Sequence, residues 1–292
     1  MLKNYFKVGV ALASAVMVMG CQGAASPKLI NPQKVTGLKT PESAVQAKDG
    51  RIYVSEINEF GKDGDGQITV ITRDGKASVF ATGLDDPKGL AVIGKYLYAA
   101  DKDKIIKIAP DGKTSVFVAK DAFPNPPIFL NDLEADPQGN LYVSDSGDVT
   151  GKGGGGAIYK INTQGHVTLL INDQKDARIK APNGLLADDT GKFLLEVDFV
   201  SGILYSLNTQ TGQLTDVAEG FGGGDGLVHH SSGTMYVSDW KNGKVFSVDT
   251  KGDVTLVKSG YQAAADIAIT KDEAYLLVPD MKAGELDFIA LK

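Results

Sequence analysis

The sequence predicts an all-β protein, a six-bladed β-propeller closed by an N-terminal outer strand, and three observations predict it. A short pattern recurs six times at intervals of roughly 40 to 50 residues: "GRIYVSE", "KYLYAAD", "GNLYVSD", "KFLLEVD", "GTMYVSD" and "AYLLVPD". Each copy leads through a turn into a second alternating segment, such as "GAIYKIN", "GILYSLN" or "GKVFSVD". A glycine-containing turn ("TRDGK", "APDGK", "TKGD") and a third strand follow. Finally, "TGLKTPE" at Thr36 to Glu42 matches "TGLDDPK" at Thr82 to Lys88 in register.

Period-two alternation, β-branched and aromatic enrichment and turn residues at fixed offsets specify antiparallel meanders, and no segment has the apolar period of an amphipathic helix. A twisted four-stranded sheet covers its apolar face only by packing on neighbours, so six such units imply a ring. The matched "TGL" segments place the first strand of the chain on the outside of the last blade. That arrangement removes the open sheet edge.

The chain divides into a leader (1–20), a tether (21–33) and the propeller (34–292). Lys3 and Lys7 precede an apolar run from Val8 to Met19, shorter than the roughly 20 residues a membrane-spanning helix needs. "VMGC", ending at Cys21, resembles the lipobox of bacterial lipoproteins, which implies lipidation of Cys21, the only cysteine. Gln22 follows it, and the resemblance implies an outer-membrane destination facing the periplasm, with the membrane engaged through the lipid alone. The formal net charge of −6, more negative once Lys3 and Lys7 are removed, argues against nucleic acid as a partner. The expected state is a monomer.

Two sets of polar residues recur. Counted back from the acidic strand ends, Glu42, Lys88, Asn131, Asn183, Asp225 and Ala265 share one position at the start of the innermost strands, where side chains converge on the central channel. The strand ends themselves, Glu56, Asp101, Asp145, Asp198, Asp239 and Asp280, lie on the same face but farther out. The outer set reads as structural, because Asp at a strand end bonds backbone N–H groups of the following turn. In the inner set Glu42, Asn183 and Asp225 offer only oxygen, which suits Ca²⁺ before Mg²⁺ or another divalent cation; the alternative is a solvated polar channel without a metal. Lys88 either reaches solvent, the commoner fate of a strand-start lysine, or faces the channel and stabilises an anion. "AFPNPPIF", just before Asn131, reads as an apolar rim or as a crossover between blades.

"PESAVQAKDGRIYV", "PNGL" and "DGL" together resemble the gluconolactonase, senescence-marker (regucalcin) and luciferin-regenerating-enzyme family, over nearly the whole chain after the tether. The resemblance implies a catalytic divalent metal held by Glu42, Asn183 and Asp225, with Asp225 also positioning or deprotonating water. "FLND" at Phe129 to Asp132 matches an Arg-x-Asn-Asp segment, which implies that Asn131 is catalytic and orients substrate. Phe129 stands where the family places an arginine that holds polyhydroxylated substrates. The expected function is therefore a membrane-tethered, Ca²⁺-dependent hydrolase of lactones or related esters with a small-molecule substrate. The other class is a non-catalytic propeller lipoprotein that binds a partner protein or envelope component.

Overall fold

A computed structural model of the chain describes residues 28–30 and 32–291; the leader and Cys21 lie outside them. Six four-stranded antiparallel sheets form the predicted propeller, and the only helical element among the described residues is a single 3-10 turn, Lys120–Ala122. The inner strands are Pro41–Gln46, Pro87–Ile93, Leu130–Ala135, Pro182–Ala187, Gly224–His229 and Ala268–Ile269. Each is followed by the strand that ends in the recurrent acid.

Closure occurs as the matched segments predict. Val35–Thr36 pairs with Glu285–Ala290, Val35 opposite Leu286, so the first strand completes the sixth blade. Each pair of neighbouring blades shares an apolar cluster. Leu38, Val54 and Leu277 join the sixth blade to the first, and Tyr142, Leu185 and Tyr205 join the third to the fourth. Burying side chains of this size contributes roughly 1.5–3 kcal/mol each, so the ring is held by the contacts between blades.

Two local devices aim side chains into the channel. In five blades the pairing of inner and second strand shifts register just after the first inner residue, as between Pro41 and Ala44 or Pro182 and Leu185. A bulge of this kind turns a side chain out of the regular alternation and leaves an N–H without its ladder partner. The serine of "VSE" or "VSD" takes that N–H: Ser55 Oγ accepts from Ser43 N, Ser144 Oγ from Asp132 N and Ser238 Oγ from Gly226 N, at 2.7–2.9 Å. The second device is the glycine after the ring residue. A Cβ on Gly184 would lie 2.1 Å from the Asp225 carbonyl oxygen, and one on Gly226 2.2 Å from Ile267 N. The Asn-Gly and Asp-Gly pairs therefore exist because adjacent inner strands pass too close for a side chain.

Candidate functional site

The outer acids hold the loops that deliver the ring residues. Asp198 accepts N–H groups from Lys180 (2.9 Å) and Ala181 (2.7 Å), two residues ahead of Asn183, and from Val200 and Ser201 in the following turn. Asp145 accepts from Ile128, Phe129 and Gly147, and Asp280 from Gln262, Ala263 and Ala283. Asp239 binds Gly223 N and Asn242 N, and Glu56 binds Lys39 N. The sequence led us to expect the bonds to the following turn. The clasp on the preceding loop is additional, and it ties the outer set to the position of the inner one.

All six ring residues are buried; five begin their inner strands as expected, whereas Ala265 precedes its short strand, Ala268–Ile269, by three residues. Four of the six present an oxygen that is shielded from solvent with no hydrogen-bond partner: Glu42 Oε2, Asn131 Oδ1, Asn183 Oδ1 and Asp225 Oδ1; in the outer set only Asp101 Oδ2 does the same, and Asp101 does not line the cavity. All four residues line one cavity of about 430 Å³ on the channel axis. An unsatisfied buried polar atom costs about 1–3 kcal/mol, so four lining one cavity point to a ligand that all can reach. Asn131 has its orientation fixed. Ser146 Oγ donates its one proton to the Pro182 carbonyl (2.8 Å) and so can only accept from Asn131 Nδ2 (3.0 Å), which leaves Oδ1 free.

The electrostatics point the same way. Burial raises the Glu42 carboxyl well above its ordinary range, with the Asp225 charge adding to the effect and Lys88 opposing it. Asp225 is raised by burial and by Asp266 and Asp132, while the Asn183 amide beside it acts in the opposite sense. Asp132 and Asp266, one residue past the ring position in blades three and six, form a second acidic tier that sequence reasoning missed. Asp132 accepts Leu133 N and Leu185 N at 2.6 Å, yet burial still pushes it up to about 6. Asp266 accepts the Ser43 hydroxyl at 2.5 Å. Four carboxyls thus crowd one channel, where a cation relieves both their repulsion and their lost hydration. The donors are two carboxylates and two amides; among the described residues no three His, Cys, Asp or Glu side chains gather as a metal cluster. An all-oxygen set of this kind fits a hard cation such as Ca²⁺.

Lys88 does not reach solvent. It is 2% exposed, donates to the Asp86 carbonyl at 3.1 Å and lies 4.3 Å from the centre of the Phe129 ring. Phe129 lines the cavity as the sequence implied, but the other aromatic of that segment does not form a rim. Phe123 turns inward and packs on Tyr159, ring centres 5.2 Å apart, within the core between blades two and three.

The rest of the wall was missed, although a signal was present. Ile57, Ser146, Phe199, Trp240 and Met281 each follow directly after an outer acid, and all line the cavity. In these five blades the first position of the hairpin, just beyond a side chain fastened to the inner loop, faces the channel mouth; in the second blade Lys102 turns away and pairs with Asp63.

The sequence pattern of the SMP-30/Gluconolactonase/LRE-like region matches residues 91–277, a span that includes Asn131, Asn183 and Asp225 but not Glu42 or Lys88. No curated protein matches the chain. Among solved structures, a chain in the crystal structure of a nidogen/laminin complex is 21% identical and superposes with a TM-score of 0.63 over 77% of this chain and 82% of that one, a likeness of fold. Proteins of the matched family are typically metal-dependent. With the family pattern running over most of the propeller and three of its ring residues, the chain belongs to the SMP-30/gluconolactonase/LRE-like family.

Proposed function

We propose that the protein is a divalent-metal-dependent hydrolase of lactones or related esters, with Ca²⁺ as the natural ion. The observation that carries this reading is the set of four partnerless oxygens, on Glu42, Asn131, Asn183 and Asp225, lining one buried cavity. Glu42, Asn183 and Asp225 would hold the ion, and the freed Oδ1 of Asn131 adds a fourth oxygen from the residue that sequence reasoning gave to the substrate. When bound, the ion supplies Lewis acidity toward a carbonyl and stabilises negative charge as it develops.

This chain's own residues do the rest. Asp225, raised by burial and by neighbouring carboxyls, is suited to take a proton from water attacking the carbonyl. Asn131, locked by Ser146, fixes one edge of the substrate. Phe129, Phe199 and Trp240 exclude bulk water from the acyl side, which strengthens each polar contact beneath them. A lipid on Cys21 would hold this monomer at the periplasmic face of the outer membrane.

Two measurements test the reading. Calcium titration by calorimetry on chelator-stripped protein should show one site, and a lactone and ester panel should show turnover that chelation abolishes. Absence of divalent binding would overturn the enzyme and leave a binding propeller. For the tether, Cys21→Ser should move the protein from the membrane to the soluble fraction; retention on membranes through a high-salt wash would refute it.

A further inference from the structure

The geometry points to a substrate that carries an anionic group on an apolar body, with Lys88 as the residue that receives the anion. This inference deepens the hydrolase reading of the channel and rests on it. The Lys88 ammonium has three N–H donors. One reaches the Asp86 carbonyl, and the ring face of Phe129 covers another side. Among the described residues no carboxylate is in ion-pair contact with it, although Glu42 shares the cavity. A buried ammonium normally finds a carboxylate. This one is held by a carbonyl and an aromatic face, faces the cavity, and keeps donor capacity for an incoming acceptor.

The mouth repeats the theme. Lys241 Nζ lies 4.3 Å from the centre of the Phe199 ring, and Lys282 Nζ 4.1 Å from that of Trp240, so three aromatic walls of the cavity each carry a lysine. The chain as a whole is negative, so these two lysines are a local positive feature at the mouth that can meet an incoming anion. The sector of the channel between Asp225 and Glu42 is apolar: Ala265 takes the ring position in the sixth blade and packs with Ile57 and Met281. Trp240 Nε1 donates to Met281 Sδ at 3.3 Å, so its N–H is not offered to the cavity. Apolar walls, one buried ammonium beside the ring oxygens and two exposed ones at the rim fit an aryl or alkyl acyl group bearing a carboxylate. They offer little to a polyhydroxylated ring.

The test separates binding from turnover. Calcium-loaded protein is titrated calorimetrically with 4-phenylbutyrate and with 4-phenylbutanamide, two ligands that differ in charge and little in shape. Wild type should prefer the carboxylate by about tenfold or more, the scale of a desolvated charge-assisted contact. Lys88→Met should bring the ratio close to one and raise calcium affinity, since a positive charge beside Glu42 is gone. Lys88→Arg should keep the preference, and Lys88→Gln, which should lose it, decides the matter should the Met variant fail to give a cooperative melting transition. No preference in wild type would overturn the proposal and leave Lys88 an internal counter-charge. A preference that survives in Lys88→Met would also overturn it, because the carboxylate then sits on the ion. If calcium titration alone shows no binding, the hydrolase reading falls, and the same ligand pair titrated without calcium still decides the role of Lys88.

Discussion

The two rings have the same six-fold origin and both bury carboxylates, and their hydrogen bonds separate them. Asp198, in the outer ring, is fully buried and accepts four backbone N–H groups. Asp225, in the inner ring, is as deeply buried with Oδ1 bonded to nothing. Asp101 is intermediate: one oxygen accepts Asp85 N at 2.9 Å, the other has only Lys104 at 3.6 Å, and burial pushes it up to about 6. A buried carboxylate whose bonds are complete has finished its work within the fold. One whose bonds are missing is waiting for a partner that the chain does not supply.

Asp198→Ala should have the largest effect, because it strands backbone donors in two loops. We expect a loss of about 3–5 kcal/mol, read as a lower urea midpoint that calcium does not restore. If its cost is below about 1 kcal/mol, the outer ring is not the scaffold described here. Asp225→Ala should act in the opposite direction on the metal-free protein, raising its stability by about 1–3 kcal/mol while weakening calcium binding about 100-fold or more. Equal destabilisation by the two variants would erase the distinction between the rings.

The pH dependence follows from the same contrast. Glu42 and Asp225 are raised above the usual carboxylate range, so between the unfolded and folded values the metal-free fold holds protons that the unfolded chain has released. Its stability therefore falls as pH rises through that window, while calcium affinity rises. Calorimetry in two buffers of different ionisation enthalpy should show protons released on binding; no release anywhere above the ordinary carboxylate range would contradict the raised values.

Glu196 sharpens the comparison from another side. It stands where other blades carry Val54, Ala99, Val143, Val237 or Val278, fully buried, with neither oxygen bonded, but it does not line the channel cavity. Glu196→Val should stabilise the protein by about 2 kcal/mol and leave calcium affinity untouched, since a partnerless carboxyl outside the shared cavity is only a cost. The smallest effect should come from Ser146→Ala. Freed from its lock, the Asn131 amide can turn its NH₂ toward the cavity, and calcium affinity should fall about three- to tenfold with little change in melting temperature.

Much of this was legible in the sequence because it repeats. Strand ends, turns and the shared sixth blade are set by local patterns, and the inner ring emerged by counting back from Asp145, Asp198 or Asp239. What escaped depends on distances between blades. Nothing local marks Gly184 as a place where the Asp225 carbonyl passes, nor Ser238 as the acceptor for a bulged N–H. Asp132 and Asp266 looked like ordinary neighbours of ring residues, and only packing puts them beneath it. The sequence left Lys88 two fates, because a lysine beginning a strand has an easy path to water unless a ring such as Phe129, from the next blade, closes over it. Phe123, six residues earlier, had the same chemistry and went into the core.

The strand that closes the propeller carries a consequence for synthesis. Lys34 bonds to Glu285 across 251 residues, so the first described strand is made early and waits for its partner until almost the whole chain has left the ribosome. Blades with short internal loops can order as they emerge, but the sixth has no outer strand until the two ends of the chain meet. Closing so long a loop is slow, and until then an unpaired edge is open to other chains. Conditions that delay that meeting should favour aggregation during production of a protein whose last edge is sealed only when its two ends have met.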